Sequence, residues 1–273
     1  MEHTIRSGLL DHIIKIAVVG AGGTSSQIMT GLARLHHAMV ELGHPGGLSV
    51  TLYDDNVVSE SNVARQAFYH GDIGSFKAPV VINRINLGLG LNWKSEIEKV
   101  TAETDLTDVD LIVGCVDTRK TRLAILNAAS NGSEAYWLDC GNMLDAGKVI
   151  LGEIGHISQE VDHRLPHIAD LFPEMINPAL DEKDEIPSCS LADPLEKQSL
   201  FINSIVSNMA CNILFELFRF KKIRDHGCFV NLKLNRITPI PIYYDMWSRL
   251  GYRPFKVAAS KKKERKLLFL SNF

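Results

Sequence analysis

The feature that most constrains the fold is an apolar run that ends in a glycine-rich turn. The run covers residues 13–20 (IIKIAVVG), and the turn AGGTSS leads into a stretch that is compatible with a helix. This order of strand, glycine turn and helix is typical of nucleotide-binding βα units, in which backbone amides hold phosphate groups. We therefore predict phosphate contacts at Gly20, Gly22 and Gly23. Ser25 stands where the usual G-x-G-x-x-G pattern has its third glycine.

Strand-like and helix-like stretches alternate along the chain. Such alternation predicts an α/β fold, a Rossmann-like, doubly wound and mostly parallel sheet with helices on both faces. The sequence predicts strands over residues 13–20, 48–54, 95–100, 109–115, 134–140 and 147–155. It predicts helices over residues 23–43, 76–87, 118–130 and 193–220, and a late hairpin in CFVNLKLNRITPIPIYY.

Composition divides the chain into four segments. Residues 1–155 form the expected nucleotide-binding α/β core. Residues 156–192 are rich in proline, histidine and acidic side chains, and a flexible crossover loop is expected there. A capping sequence at Asp193 starts the long helix, which with closing strands completes the same domain over residues 193–245. Residues 246–273 are expected to form a basic C-terminal tail.

Composition and charge narrow the class of protein. The 273 residues are 45% hydrophobic and 22% charged, with a net charge of −3, so we expect a full core and no nucleic-acid partner. The most apolar stretch, residues 199–218, contains three asparagines and a glutamate, which argues against a membrane span. Five scattered cysteines without a C-x-x-C pair, and the lack of an apolar leader in MEHTIRSGLLD, predict a cytoplasmic protein.

An acidic residue after the second predicted strand is expected to bind the ribose hydroxyls. Asp54 takes this position, at 54 − 20 = 34 residues past Gly20. In dinucleotide-binding folds the acid follows the glycines by about 20 residues. A long first helix and the turn HPGG account for the extra residues between the glycines and Asp54. The spacing alone is therefore compatible both with a redox dinucleotide and with a nucleotide that the protein consumes.

The next polar segment favours a nucleoside triphosphate. Asn62, Arg65 and Gln66 lie close together in SNVARQ, and Lys77 follows after a turn. On a helical turn, residues three apart face the same way, which would pair an amide with a guanidinium suited to bidentate phosphate contact. Asp117 closes the strand of LIVGCVD, where ligands collect in open α/β sheets. Its carboxylate is suited to holding Mg²⁺ beside the phosphates.

Together these motifs resemble the E1-like family, the adenylating enzymes related to ThiF, MoeB, HesA and the ubiquitin-activating enzymes. The resemblance rests on GAGGTS, the acid of YDDN, SNVARQ, GDIGSFKA and GCVDTRKTR, in family order over residues 13–131. The stretches HHAMVELGHPGGLSVTLYD and PSCSLADPLEKQSLFIN are similar to the ThiF-like proteins of the plasmid-associated PRTRC gene systems, which extends the resemblance over most of the chain.

The resemblance implies ATP, Mg²⁺ and adenylation of the C-terminal carboxylate of a ubiquitin-like β-grasp protein. It also implies a homodimer, with an E2-like protein as a further expected partner. Arg65, Lys77 and Asp117 are the implied catalytic residues. Matched motif by motif, the implied roles are ribose binding for Asp54, ribose and phosphate contacts for Asn62, Arg65 and Gln66, phosphate contact for Lys77, and metal binding for Asp117.

The chain departs from the family pattern in several places. It lacks the zinc-binding C-x-x-C pairs of many relatives, so no structural zinc is expected, and Asn56 stands where a second acid is often found. Arg6 is the nearest candidate for the arginine that such enzymes lend across a dimer interface. Cys189 is the candidate catalytic cysteine for a thioester. The helix start at Asp193 favours its thiolate, whereas the neighbouring DEKDE opposes it.

Three other functions stay open at the level of sequence. The first is adenylation of a small molecule or a tRNA base on the same fold, although the weak basic character speaks against RNA. The second is an NAD(P)-binding oxidoreductase, which leaves Arg65, Lys77 and Asp117 unexplained. The third is a non-catalytic partner subunit, which would not need the full set of ATP-binding residues.

Overall fold

An eight-stranded sheet forms the centre of the chain in a computed structural model, which describes residues 1–63, 65–130, 132, 134–155, 164–181 and 199–252. The strands are β1 His3–Thr4, β2 Ile14–Val19, β3 Leu48–Tyr53, β4 Lys94–Glu96, β5 Leu111–Gly114, β6 Ala135–Asn142, β7 Ala146–Ile154, β8 Lys222–Ile223, β9 Asp225–Asn231 and β10 Arg236–Pro241. The α-helices are α1 Gly23–Glu41, α2 Lys77–Leu89, α3 Arg119–Ser130, α4 Ile168–Leu171, α5 Ile202–Phe220 and α6 Tyr244–Arg249.

The strand order confirms the predicted Rossmann-like, mostly parallel α/β fold. The order is β10-β9-β7-β6-β5-β2-β3-β4, and β1 pairs separately with β8. Strands β4, β3, β2, β5 and β6 are parallel neighbours, whereas β7, β9 and β10 are added in antiparallel fashion. The chain runs from β2 outward to β3 and β4 and then returns to β5, on the other side of β2. Ligands bind at such a switch point in open α/β sheets.

The predicted strands lie where the sequence placed them, but one changes direction. β7 runs antiparallel to β6 because only three residues, 143–145, connect them, and a parallel pair needs a crossover of a dozen residues or more. The predicted late hairpin is present as β9 and β10, and Ile237 pairs with Val230. The third predicted strand shortens to the edge strand Lys94–Glu96, whose one partner among the described strands is the end of β3.

Helices cover both faces of the sheet. On one face α1 packs closely against α5, since a Cβ on Gly31 would lie only 2.2 Å from Cys211 Sγ, and Ser207 Oγ donates to the Thr24 carbonyl at 2.8 Å. On the other face α3 and residues 164–181 cover β6 and β7. The buried side chains of the sheet therefore form one core between two helical layers.

The helix predicted over residues 193–220 is not continuous, since residues 199–201 lie outside any helix. The described helix α5 starts at Ile202, because the Ser199 amide donates to the Leu144 carbonyl instead of entering a helical ladder. The predicted start at Asp193 lies outside the described residues. Among the described helices, none combines the length and apolar character that crossing a bilayer requires.

Residues 164–181 differ from the irregular loop predicted over 156–192. They contain α4 and two 3₁₀ turns, Pro173–Ile176 and Pro178–Leu180. Leu165 and three α4 residues are buried, and the Arg164 guanidinium holds both oxygens of Asp170 at 2.7 Å. A buried apolar face and a bidentate ion pair stabilise this stretch, which the high proline content conceals in the sequence.

The start of the predicted basic tail is also folded. Trp247 of α6 is buried, and its Nε1 donates to His226 Nε2 at 2.8 Å. His226 Nδ1 lies 2.7 Å from the Leu151 carbonyl, so His226 is neutral with its proton on Nδ1. The histidine thus connects β9, β7 and α6. The basic residues beyond Tyr252 lie outside the described residues.

His226 gives the fold an expected acid sensitivity. Burial lowers the pKa of His226 from 6.5 to about 4. In this pH range the unfolded chain binds a proton at His226 that the folded chain does not bind. The free energy of unfolding is therefore expected to fall as the pH drops from about 6.5 to 4, and His226 contributes at most about 3 kcal/mol to that fall. Urea unfolding across this range measures it. Equal pH slopes for the wild type and His226→Gln would contradict the assignment.

Candidate functional site

A cavity of about 760 Å³ opens at the carboxyl ends of the parallel strands, over the switch point between β2 and β5. It extends from the end of β3 across β2, β5 and β6 to β7. Seven of the eight predicted nucleotide-contacting residues line it, and Asn62 is the exception. Those seven, with Asp117 as the predicted metal ligand, are Gly20, Gly22, Gly23, Asp54, Arg65, Gln66, Lys77 and Asp117.

The glycine loop is built for close backbone contact. Gly20 has a φ of +93°, and a Cβ there would lie 2.6 Å from the Cys115 carbonyl oxygen. A Cβ on Gly22 would meet no atom within 4 Å, so that position faces open space. Helix α1 begins at Gly23, and the first amides of a helix have no partner within it. The loop therefore presents donors and a positive helix end to an anion, as a phosphate requires.

Ser25 replaces the third glycine without loss of packing. It is fully buried, and its Oγ donates to the Gly22 carbonyl at 3.2 Å. Close packing is instead required at Gly23, where a Cβ would lie 2.6 Å from Asn203 Nδ2 of α5. The small hydroxyl of Ser25 satisfies its own hydrogen bond inside the first turn, so the substitution keeps the strand–turn–helix geometry.

Asp54 is fixed beside the glycine loop. Its Oδ2 accepts from the Ala21 amide at 2.7 Å, and its Oδ1 accepts from the Asn56 amide at 2.8 Å. The carboxylate therefore joins the end of β3 to the turn after β2. Oδ1 also accepts from Asn56 Nδ2 at 3.1 Å, whereas Oδ2 accepts only from the Ala21 amide among the described residues, so Oδ2 is suited to accept from a ribose hydroxyl.

Three residues of the following segment, Arg65, Gln66 and Lys77, line the cavity. Arg65 is half-buried, and burial lowers the pKa of its guanidinium. Lys77 is the first residue of α2, where its amide donates to the Asn56 carbonyl at 2.9 Å. Gln66 Oε1 is a buried oxygen without a hydrogen-bond partner among the described residues. The two cations of this wall suit an anionic group, and the orphaned Gln66 oxygen suits a hydrogen-bond donor of the same ligand.

Asn62 does not lie in the cavity with Arg65. The predicted helical turn is absent, since a 3₁₀ turn ends at Asn62 and Val63 is extended, with φ −62° and ψ 140°. The Asn62 Oδ1 accepts from the Ser59 amide at 3.0 Å and from the Ser59 hydroxyl at 3.1 Å. The expectation that the two side chains face the same way is therefore wrong. Asn62 folds the segment that carries Arg65.

Asp117 presents its carboxylate to the cavity because a neighbour caps the helix. Thr118 Oγ1 accepts from the Thr121 amide at 3.2 Å, so Thr118 and not Asp117 caps α3. Asp117 is exposed, and its charge acts on Lys77. The described residues contain no cluster of three metal-ligating side chains. One carboxylate still fits Mg²⁺, which usually takes one or two carboxylates and completes its shell with phosphate oxygens and water.

Sequence reasoning missed a polar triangle on the cavity wall. Asn142 Nδ2 lies 2.8 Å from Thr24 Oγ1 and 2.7 Å from Asn203 Oδ1, and the Thr24 hydroxyl donates to the same Asn203 oxygen at 2.9 Å. These residues come from β6, α1 and α5, up to 179 positions apart. No local spacing could reveal the contact, because only the packing of α5 on α1 creates it.

Two further cations that sequence reasoning missed line the β6 and β7 side of the cavity. Arg122 of α3 donates through Nε to Asp139 Oδ1 at 2.8 Å, and both side chains are almost fully buried. Lys148 of β7 has its Nζ 5.2 Å from the centre of the Phe172 ring, and burial lowers its pKa. Arg122 belongs to the motif GCVDTRKTR, but nothing in the sequence distinguishes it from Arg119.

Two remaining predicted site residues are not in the cavity. Arg6 lies at the opposite edge of the sheet, where its guanidinium pairs with Asp110 of the same chain at 3.3 Å and its amide donates to the Tyr136 hydroxyl. That intrachain pair works against a role across a dimer. Cys189 lies outside the described residues, so its predicted thioester role stays a prediction.

Solved structures with a similar fold include PaaA and E. coli MccB. Selenomethionine PaaA is similar with a TM-score of 0.56 and 16% identity, over 86% of this chain and 74% of PaaA. E. coli MccB with ATP has a TM-score of 0.54 and 11% identity, over 85% of this chain and 64% of MccB. E. coli MccB with MccA-N7isoASN has a TM-score of 0.53 and 14% identity, over 85% of this chain and 65% of MccB. This chain therefore spans less than two thirds of MccB.

The family is defined at the level of sequence. These structural likenesses, at 11–16% identity, show the fold alone. The sequence matches no functionally curated protein. The model of the ThiF family matches residues 10–261, which include the glycine loop, all the cavity-lining residues and α5. The chain belongs to the ThiF family.

Proposed function

We propose that this protein uses ATP and Mg²⁺ to adenylate the C-terminal carboxylate of a ubiquitin-like β-grasp protein. The observation that carries the proposal is the shared cavity of the glycine loop, Asp54, Arg65, Lys77 and Asp117. Membership of the ThiF family, whose members are E1-like adenylating enzymes, supports the reaction class. The ubiquitin-like target rests on the sequence resemblance.

The residues of the cavity suit each part of ATP. Asp54 would hold the ribose, and the amides from Gly22 onward would hold phosphate oxygens at the start of α1. Arg65 and Lys77 would neutralise charge that develops as pyrophosphate leaves, which is the main catalytic requirement of phosphoryl transfer. Asp117 would hold Mg²⁺, and the bound ion supplies further charge neutralisation.

The reaction needs no general base from the protein. A carboxylate oxygen of the partner attacks the α-phosphorus of ATP, and the bond from that phosphorus to the bridging oxygen breaks. Pyrophosphate carries away the electron pair, and the products are an acyl adenylate and pyrophosphate. A carboxylate is already ionised near neutral pH, so orientation and charge neutralisation account for the demands on the site.

The remaining predictions belong to the same proposal. The protein acts as a cytoplasmic homodimer, an E2-like protein receives the activated partner, and Cys189 forms a thioester after adenylation. The sequence resemblance to the ThiF-like proteins of PRTRC systems supports a function within such a plasmid-associated gene system. The structural neighbour MccB was solved with MccA-N7isoASN, which supports a polypeptide as the class of substrate.

The alternative function, an NAD(P)-binding oxidoreductase, fits the cavity less well than adenylation does. NAD(P) carries a pyrophosphate that backbone amides of a glycine loop hold without side-chain cations. NAD(P) binding would therefore leave Arg65, Lys77 and Asp117 without a role in the cavity that they share. Titration with NAD⁺ and with ATP in the presence of Mg²⁺ distinguishes the two readings, since only the proposed function predicts tighter binding of ATP.

ATP–pyrophosphate exchange tests the proposal directly. The protein is incubated with ATP, Mg²⁺, labelled pyrophosphate and a set of β-grasp proteins that end in glycine. Exchange is expected with the cognate partner, and the same partner without its terminal glycine is the matched control. Tight NAD⁺ binding without exchange for any partner would overturn the proposal. A partner adduct on non-reducing gels that persists in Cys189→Ala would exclude the thioester at that residue.

Lys77 gives ATP binding an expected pH dependence. Burial lowers the pKa of Lys77 from 10.5, and the neighbouring Asp54 and Asp117 oppose that shift. Because only the protonated amine attracts phosphate, ATP affinity is expected to fall at a lower pH than for an exposed lysine. Titration with a fluorescent ATP analogue from neutral to alkaline pH measures it. Lys77→Arg should move the decline to higher pH, and unchanged profiles would contradict the assignment.

A further inference from the structure

The β6 and β7 side of the cavity contains cations that the nucleotide groups do not use. Gly141 lies directly opposite Lys148 in the antiparallel pair of β6 and β7. A Cβ on Gly141 would lie 3.2 Å from Arg122 Nη2 and 3.4 Å from Lys148 Cε. The two cations therefore flank the one position on β6 where no side chain projects. We call this arrangement of Arg122, Gly141 and Lys148 the Gly141 cleft.

Both cations of the Gly141 cleft keep donors that the chain does not use. Among the described residues, the Arg122 side chain donates only through Nε, to Asp139, and its two Nη groups make no hydrogen bond. Lys148 Nζ contacts the Phe172 ring and has no hydrogen-bond acceptor in the described part of the chain. Buried cationic N–H donors without an acceptor are unfavourable unless a ligand supplies the acceptor.

The charges around the Gly141 cleft still allow an anion. The Asp139 carboxylate interacts electrostatically with both cations, but its Oδ1 already accepts the hydrogen bond from Arg122 Nε. Glu174 and Arg119 also act on Lys148, but Glu174 is exposed and Arg119 pairs with Asp181 at 3.2 Å. The Nη groups of Arg122 and the Lys148 ammonium are thus the donors that remain available for a ligand.

The position of the cleft separates it from the ribose site. Asp54 follows β3, and Lys148 lies on β7, four strands away in the sheet order. At about 4.8 Å per strand the two ends of the cavity are about 19 Å apart. Asp117 follows β5 between them. A group that attacks the α-phosphorus in line with the leaving pyrophosphate must approach from outside the nucleotide, and the β7 end offers that space.

We propose that the Gly141 cleft binds the C-terminal carboxylate of the polypeptide substrate and positions it for attack on ATP. This inference rests on the proposed function and adds the residues that select the second substrate. Lys148 and the Nη groups of Arg122 hold one carboxylate oxygen, and the other faces the phosphate. Gly141 leaves room for the peptide backbone. Lys148 is a positioning residue, because it orients the nucleophile and takes no part in bond making.

The test compares a minimal peptide with its uncharged analogue. Acetyl-Gly-Gly with a free carboxylate and acetyl-Gly-Gly amide are titrated by saturation-transfer NMR, with and without a non-hydrolysable ATP analogue and Mg²⁺. The wild type is expected to bind the carboxylate at least about tenfold more tightly than the amide. Lys148→Met should remove this preference, Lys148→Arg should retain it, and Gly141→Ala should weaken peptide binding. The exposed Lys94 gives the control variant Lys94→Met, which should behave as wild type.

The outcomes separate this inference from the proposed function. Equal binding of carboxylate and amide by the wild type, with normal ATP binding, would overturn the cleft and leave ATP-dependent chemistry intact. A Lys148→Met variant that loses ATP affinity but keeps the carboxylate preference would also overturn it, since the cation then serves the phosphates. If the wild type binds no ATP, the proposed function fails. The comparison of the carboxylate peptide with the amide peptide then still shows whether the Gly141 cleft binds a carboxylate.

Discussion

Substitution of Asp117 by asparagine is expected to lower partner-dependent ATP–pyrophosphate exchange by about 100-fold or more. Asp117 is the exposed carboxylate at the end of β5, and the cap of α3 is formed by Thr118 instead. The substitution removes the charge that would hold Mg²⁺ against the phosphates without disturbing the helix start. Loss of about 3 kcal/mol of charge stabilisation corresponds to a factor of about 100 in rate.

A second measurement separates the metal role from a general loss of activity. ATP affinity of the wild type is expected to rise when Mg²⁺ is added, and Asp117→Asn should lose most of that increase. The thermal midpoint of the variant should stay near that of the wild type. Asp108→Asn is the matched control, because Asp108 is exposed at the opposite edge of the sheet, beside Lys15. Full Mg²⁺ dependence in Asp117→Asn would show that another residue holds the metal.

Substitution of Asp139 by alanine is expected to destabilise the protein by about 3–5 kcal/mol. The Arg122 Nε to Asp139 Oδ1 bond is 2.8 Å long, and the two side chains are 3% and 0% exposed. Removal of the carboxylate leaves the guanidinium buried beside Lys148 without a counter-charge, which is the costly way to break such a pair. Urea unfolding followed by circular dichroism measures the loss.

Two comparisons test the physical reason. Asp108→Ala removes an exposed ion pair and should leave the unfolding midpoint nearly unchanged. The double variant Arg122→Met/Asp139→Leu replaces both charges and should recover much of the lost stability, because Asp139 Oδ2 has no partner among the described residues and the pair is only partly compensated. A small effect of Asp139→Ala would mean that water reaches Arg122.

Much of the fold follows from local pattern. Apolar runs of strand length and intervening helical stretches gave six strands and three helices close to their observed bounds. The direction of β7 did not follow from its own residues, but it does follow from the short connection to β6. The predicted continuity of the helix over residues 193–220 was wrong, because the Ser199 amide bonds to a residue 55 positions earlier, 199 − 144, which no capping pattern can indicate.

The residues of the candidate site also fall into those that local pattern predicts and those that it does not. Gly20, Asp54, Lys77 and Asp117 follow strand ends or begin helices, so the parallel topology brings them to one edge of the sheet wherever the strands form. Asn62 was misplaced because its side chain satisfies a local turn at Ser59, a choice that depends on one backbone geometry. Side chains within one short segment can therefore separate even when their spacing suggests a shared face.

The sequence by itself determined the proposed nucleotide end of this protein, because the glycine turn, the proposed ribose ligand Asp54 and the proposed metal ligand Asp117 each follow a strand that fixes their position. Only the tertiary structure decided the other end of the cavity. Arg122, Gly141 and Lys148 come from a helix and two strands, and their approach depends on how α3 packs over β6 and β7. Burial makes these cations candidates for ligand binding, because a buried charge is unfavourable unless a partner or a ligand of opposite charge contacts it.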